Sequence, residues 1–260
     1  MVLAGGILLQ GYITHGLNDL YDWHSGTDQT TPGVISGGSH VLRAGLLTTG
    51  QMWRVVLATT LASVILLIWL ASWRGGILAA LGGIALITAA AYSVPPLRLC
   101  YRPLTGEWLG IFPALVCGTL AAGFAVSERW SVQLLAVAVI QGVVCVASVM
   151  EHHLVDIDSD WAAHPRKRTS PAFWQRQVGR PGREVALGYQ VVGLALSVGA
   201  AWLVASRIWW SVLVVAVGVV IIHRTRTGDH GDELRRDILL KSLAIIHALG
   251  YVAMAVIGLP

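Results

Sequence analysis

Long apolar runs separated by short polar segments set the class of this chain. Eight stretches, 2–17, 52–73, 76–93, 108–127, 130–150, 184–205, 208–223 and 238–258, approach or reach the roughly 20 predominantly apolar residues that a bilayer-spanning helix needs. The pattern predicts an all-α integral membrane bundle of about eight transmembrane helices. The first stretch begins almost at Met1 and has neither a basic leader nor a small-residue cleavage site, so it is not a signal peptide. The two longest polar loops, 18–51 and 151–183, each follow a helix that ends in carboxylates. Two shorter basic loops, 94–107 and 224–237, each follow the next-but-one helix. This layout predicts a single domain over 1–260 built as two four-helix halves, about 1–127 and 130–260, alike in plan and not in sequence.

Composition agrees with that reading and narrows it. Only 12% of the 260 residues are charged and 55% are hydrophobic, where an average soluble domain is about a quarter charged. A soluble enzyme, a disordered tail and a nucleic-acid-binding module are all disfavoured, and the net charge of +4 does not call for a nucleic-acid partner. Cys100, Cys117 and Cys145 lie in or beside apolar stretches, with no spacing that suggests disulfides or zinc. The 29 glycines, many of them inside the predicted helices, suit close helix packing in lipid. Most of the 11 tryptophans fall near helix ends, as an interfacial belt does.

Charge is distributed unevenly across the membrane. With the first helix leading into loop 18–51, 15 of the 18 basic residues fall on that side, and the positive-inside rule places it in the cytoplasm. Thirteen of the 14 acids share it, all but Glu128. Acids contribute little to orientation, so their clustering indicates a polar, chemically active surface on one face of the bilayer. The expected location is a cell membrane, the inner one of a bacterium, with the active site toward the cytoplasm.

Two acidic clusters stand at matching helix ends. In Asn18-Asp19-Leu20-Tyr21-Asp22, with Asp28 beyond, Asn18 and Asp22 are four apart and share a face if the helix continues through them. In Asp156-Ile157-Asp158-Ser159-Asp160, Asp156 and Asp160 repeat that spacing. A solvated, acid-rich helix end explains either cluster alone. Two in matching positions favour a shared site for a hard cation such as Mg²⁺. Between them, Tyr92-Ser93-Val94-Pro95-Pro96-Leu97-Arg98 ends a helix at two prolines and sets Arg98 and Arg102 at the mouth of the bundle, where guanidinium forks suit phosphate oxygens. Arg166-Lys167-Arg168 follows the second cluster. Each basic group could be an ordinary anchor. Paired acids with basic groups nearby make the pattern that a diphosphate bridged by Mg²⁺ requires.

These segments resemble the UbiA superfamily of membrane prenyltransferases. Asn18 to Asp22 is similar to its first acidic motif, and Asp156 to Asp160 with Arg166-Lys167-Arg168-Thr169 to its second. Tyr92 to Leu99 is similar to the tyrosine-proline-arginine segment between them. Ser25-Gly26-Thr27-Asp28 and the stretch from Ser36-Gly37-Gly38-Ser39 to Gly45-Leu46-Leu47-Thr48 look most like the 1,4-dihydroxy-2-naphthoate prenyltransferases of menaquinone synthesis. The resemblance implies helices, usually nine, around a central cavity open to the cytoplasmic face. It implies Mg²⁺ as cofactor, a prenyl diphosphate and an aromatic small molecule as substrates, and an allylic carbocation between them. Asn18, Asp22, Asp156 and Asp160 match metal positions. Tyr92, Arg98, Arg102, Lys167 and Arg168 match the diphosphate-contacting segments, and the catalytic set implied is Asp22, Asp156, Asp160 and Arg98. Tyr21, Trp23, His152 and His153 are candidates to line the acceptor or shield the cation.

The departures from the pattern fall on the acceptor side. Cys100 replaces a lysine, and His152-His153 replaces a pair of asparagines. His152 and Asp156 are four apart, so a zinc site is conceivable, although a hydrogen-bonded polar lining is the better reading. His15 and His247 are expected inside the bundle. With eight helices and not nine, the missing one is expected to precede residue 1: either the open reading frame starts upstream of Met1, or that first helix is absent from the protein. Helices 1 and 8 are then expected to be the most lipid-exposed edges, with a groove between them. A membrane terpene cyclase using the same diphosphate site is a second enzymatic reading. A transporter with acids in two matching halves is a reading of another class, weakened by acids that cluster at one face. Prenyl chain length, acceptor and oligomeric state are not fixed by the sequence.

Overall fold

Lipid leaves backbone amides no partner outside the chain, so apolar runs of this length become helices with internal hydrogen bonds. The structure, a computed structural model, describes residues 2–30, 38–224 and 230–256. Among these residues there are helices and no strands. α1 runs continuously through Val2–Gly6, a π-type stretch Ile7–Thr14 and His15–Ser25, and the short α2 is Thr27–Thr30. α3 is Thr49–Arg74, α4 is Gly76–Ser93, α5 is Gly106–Ser127 and α6 is Val132–His152. Two short helices follow: α7 is Ile157–Ala162, and α8 joins Ser170–Phe173 to a π-type turn, Trp174–Val178. α9 is Arg183–Leu203, α10 is Ser206–Arg224 and α11 is His230–Val256.

Six described helices, α3, α4, α5, α6, α9 and α10, are long and apolar enough to span a membrane. They coincide with the six inner stretches expected from the sequence. Only 11% to 39% of their most apolar windows is buried within the protein, so most of the apolar surface needs lipid as its solvent. Leu57, Leu61, Ile65, Ile68 and Trp69 on α3 all lie on that outer surface.

Consecutive helices pack as neighbours from α3 to α6, and α6 then packs on both α9 and α11. α10 lies against α9 and α11, while α1 lies against α3 and α4. α1 and α11 are edges that share no extended interface among the described residues. The His15 ring is exposed, within electrostatic reach of His152 and Lys241, and is not packed in the bundle core where it was expected. Ile13, Leu17 and Leu20 of α1 bury one face against Met52 and Val56 of α3, the i, i+4, i+7 spacing of a single helix stripe. That docking fixes the rotation of α1 and so the direction of Asn18 and Asp22.

A polar chain ties four helices together inside the bundle. The His247 ring on α11 bonds the Gln141 amide oxygen on α6 at 2.6 Å and the Ser211 hydroxyl on α10 at 2.6 Å, and Ser211 reaches Ser197 on α9 at 3.2 Å. His247, Ser211 and Ser197 are fully buried. Removing the imidazole strands Gln141 and Ser211 in an apolar interior, which costs about 1–3 kcal/mol. His247→Ala is expected to lower the melting temperature in detergent, and His247→Ala combined with Ser211→Ala to cost less than the sum of the two. An additive pair of losses would show that the chain does not act as one unit.

Candidate active site

The site forms where three polar segments meet at one end of the bundle. α1 continues past its apolar stretch to Ser25 and stops at Gly26, whose left-handed φ of 87° suits a residue without Cβ. Asn18 and Asp22 therefore sit on successive turns of one helix, and the Asn18 amide donates to Asp22 Oδ2 at 2.5 Å. Three backbone bonds sew the segments together: His164 N–H to the Ser25 carbonyl, Lys167 N–H to the Asp160 carbonyl, and Arg168 N–H to the Tyr101 carbonyl.

Lys167 is the centre of this arrangement. Its ammonium donates to Asp22 Oδ2 at 2.6 Å and lies 3.5 Å from Asp160 Oδ1. The two acidic motifs, more than 130 residues apart in sequence, thus meet on one cation. Tyr101 OH donates to Asp22 Oδ1 at 3.1 Å, and Thr169 OH donates to Asp160 Oδ2 at 3.2 Å. Asp22, Asp28, Asp156, Asp160 and Lys167 are all buried. Burial works against the Lys167 charge, but Asp160 and Asp22 more than offset it and hold the ammonium well above its ordinary range.

Four buried carboxyls around one ammonium leave an excess of acid. Burial, with Asp22 adding to it, pushes Asp28 up to about 8. Burial raises Asp160 to about 7 against the pull of Lys167, and burial with Asp160 raises Asp156. Asp156 Oδ1 and Asp160 Oδ1 are buried without a hydrogen bond. This donor set suits a hard divalent cation. Among the described residues no three His, Cys, Asp or Glu side chains form a closed metal cage, and Mg²⁺ is commonly held by one or two carboxylates together with substrate phosphates.

The remaining expected residues distribute around this cluster. Arg98, with a left-handed φ of 41°, sets its guanidinium over the rings of Tyr21 and Tyr101 at 5.6 and 5.4 Å, and its Nε is buried without a hydrogen bond. Tyr21 also meets Trp53 edge-on. Tyr92 is buried and shares a 3.0 Å hydrogen bond with His153 Nε2, while His153 Nδ1 lies 3.9 Å from Asp160. Gly110 packs on the Tyr92 ring so closely that a Cβ would sit 2.9 Å from it. Trp23 lines a shallow recess with Asp19, Asp28, His40, Leu42 and Arg43. Arg102 and Arg168 are exposed, and no contact joins their side chains to the carboxylates among the described residues. The conceivable His152–Asp156 zinc pair does not form: His152 turns to Asp237 and His153 to Tyr92. Ser36 and Gly37 lie outside the described residues.

The sequence sets Asp28 beside the first motif without marking it as a metal ligand, and Tyr101, one more aromatic after a proline turn, carries no signal there. Asp19 takes a separate role. Its carboxylate accepts the Ser39 N–H and hydroxyl, tying Ser39 to α1. Gly38, at φ 67°, passes so close that any Cβ would collide with that carboxylate.

Paired acidic motifs converging on a buried lysine, at one end of a helical bundle made for lipid, are the decisive observation. The sequence model of the UbiA prenyltransferase family matches residues 1–244. The chain belongs to the UbiA prenyltransferase family. No curated protein and no solved structure matches it. Family membership makes this UbiA chain a membrane prenyltransferase.

The excess acid makes stability of the UbiA chain depend on pH. Asp28, Asp156 and Asp160 hold protons more tightly when folded than when unfolded, so stability falls as pH rises from about 4 through about 8. In chelator, the melting temperature at about pH 8.5 is expected to lie below that at about pH 6, and added Mg²⁺ to restore much of the difference. A flat profile with no response to Mg²⁺ would contradict a cation-binding role for these carboxyls.

Proposed function

We propose that this UbiA protein transfers a prenyl group from a prenyl diphosphate to an aromatic acceptor, dependent on Mg²⁺, at the cytoplasmic end of the bundle. The observation that carries the reading is the convergence of Asp22, Asp156 and Asp160 with excess negative charge around Lys167. Asn18, Asp22, Asp156 and Asp160 would hold Mg²⁺, with Asp28 close by. The ion supplies charge neutralisation for the departing diphosphate.

The chain's own groups do the rest. Lys167 and Arg98 present positive charge to the diphosphate, Lys167 as a point charge and Arg98 as a fork. The buried Tyr92–His153 pair and Tyr101 wall the site and keep water from an electron-poor allylic carbon. Tyr21, already facing the Arg98 cation, offers a ring face to a second cation. The long apolar tail of the donor suits a bundle whose outer surface is lipid-facing.

The test is incubation of purified protein with Mg²⁺ and a long prenyl diphosphate, with and without 1,4-dihydroxy-2-naphthoate, followed by product identification. A prenylated naphthoquinol is expected. A cyclic hydrocarbon instead would assign the site to a terpene cyclase, and an unconsumed donor would refute both. Asp22→Asn and Asp160→Asn are each expected to lower kcat by about 10²–10³-fold. Arg98→Lys keeps the charge and loses the fork, so the donor KM is expected to rise while the protein stays folded. An unchanged donor KM would remove Arg98 from the diphosphate site.

A further inference from the structure

A second polar assembly joins the loop end of α6 to α11. Two consecutive residues closing α6 meet two consecutive residues of α11. The Arg236 guanidinium pairs with Glu151, and both side chains are almost completely buried. That pair locks the two helix ends in register. One residue further along, His152 Nδ1 lies 3.4 Å from Asp237 Oδ1, and Asp237 Oδ2 accepts the Lys241 ammonium at 2.7 Å.

The two histidines that close α6 differ in their surroundings. His153 is enclosed, with 6% of its side chain exposed, and touches Tyr92 on the donor side. His152 is 30% exposed and Lys241 53% exposed. Both lie close enough to the exposed His15 ring of α1 to act on it electrostatically. Among the described residues Nε2 of His152 has no hydrogen-bond partner. A carboxylate against Nδ1 favours the tautomer with its proton there, and leaves the Nε2 lone pair free to accept one. The 3.4 Å separation is long, as contacts of this kind often are before substrate binds.

We propose that His152, oriented by Asp237 and next in sequence to the His153 that contacts Tyr92, is the general base for the prenyl acceptor, a hydroxylated aromatic ring. The inference rests on the prenyl-transfer reading above. The acceptor hydroxyl gives its proton to His152 Nε2, which raises the electron density of the ring. An adjacent ring carbon forms the new C–C bond to the allylic carbon, while the C–O bond to the diphosphate breaks and diphosphate leaves with the electron pair. The proton lost from that ring carbon restores the hydroxyl, and His152 passes its own proton to water. Asp237 is a positioning residue, since it acts through the imidazole.

The test uses the full chain, Mg²⁺, geranylgeranyl diphosphate and a series of 1-naphthols whose hydroxyl acidity is graded by ring substituents. Wild type is compared with H152Q and D237N, each checked for folding by elution profile and melting temperature. H152Q is expected to lose about 10²-fold in transfer to the least acidic naphthol. The loss should shrink along the series as the acceptor arrives already ionised. D237N should follow the same gradient with a smaller loss. A loss that is uniform across the series, or no loss, overturns the base role. If H152Q does not fold, the gradient in D237N decides by the same criterion. Wild type that yields only hydrocarbon, or leaves the donor intact, overturns the prenyl-transfer reading and this inference together. That outcome is recognised because the unaltered protein fails.

Discussion

A lysine ammonium buried between two aspartates is the constraint on which the rest of the site depends. Taking charges out of water is expensive, and breaking such a pair by removing one partner costs about 3–5 kcal/mol, because the survivor is left uncompensated. Lys167 can stay charged only while Asp22 and Asp160 both face it. Asp22 faces it only because α1 extends to Ser25 and docks through Ile13, Leu17 and Leu20. Asp160 does so because the loop after α7 returns its Lys167 N–H to the Asp160 carbonyl. The ion cluster is thus an assembly check on two distant segments, and its surplus of acid leaves it short of positive charge.

The bilayer explains the proportions of the molecule. With so little of each spanning helix covered by protein, burial of apolar surface cannot be what selects one arrangement, since lipid is as apolar as the interior. Selection falls to polar contacts and close approach. The chain from Gln141 through His247 to Ser211 and Ser197 does this in one half, and Gln190 bonding the Val215 carbonyl adds to it. α6 is the common partner, touching α5, α9 and α11. Its loop-end residues, Glu151 to His153, are accordingly held by contacts to α4 and α11.

Much of this was legible in the sequence because membrane helices and charge placement are written in composition. The six inner spans followed from runs of apolar residues, and the pairing of Asn18–Asp22 with Asp156–Asp160 followed from helical spacing. Within the basic trio the sequence points to Lys167 and Arg168 alike, and of these Lys167 is buried among the carboxylates while Arg168 is exposed. What separates them is a loop geometry, set by backbone bonds to Asp160 and Tyr101, that no periodicity encodes. Tyr101 and Asp237 were illegible for the same reason. Their roles depend on which side chain arrives opposite them from a segment about 80 residues away.

The adjacent histidines at the end of α6 carry a wider implication. His153 reaches Tyr92 and His152 reaches Asp237, so two successive positions on one helix end face separate polar neighbourhoods. A small rotation of that end cannot loosen one contact without shifting the other. Any ligand that turned this helix end would act on both contacts at once, and a coupling of two ligands through it would be equal in both directions.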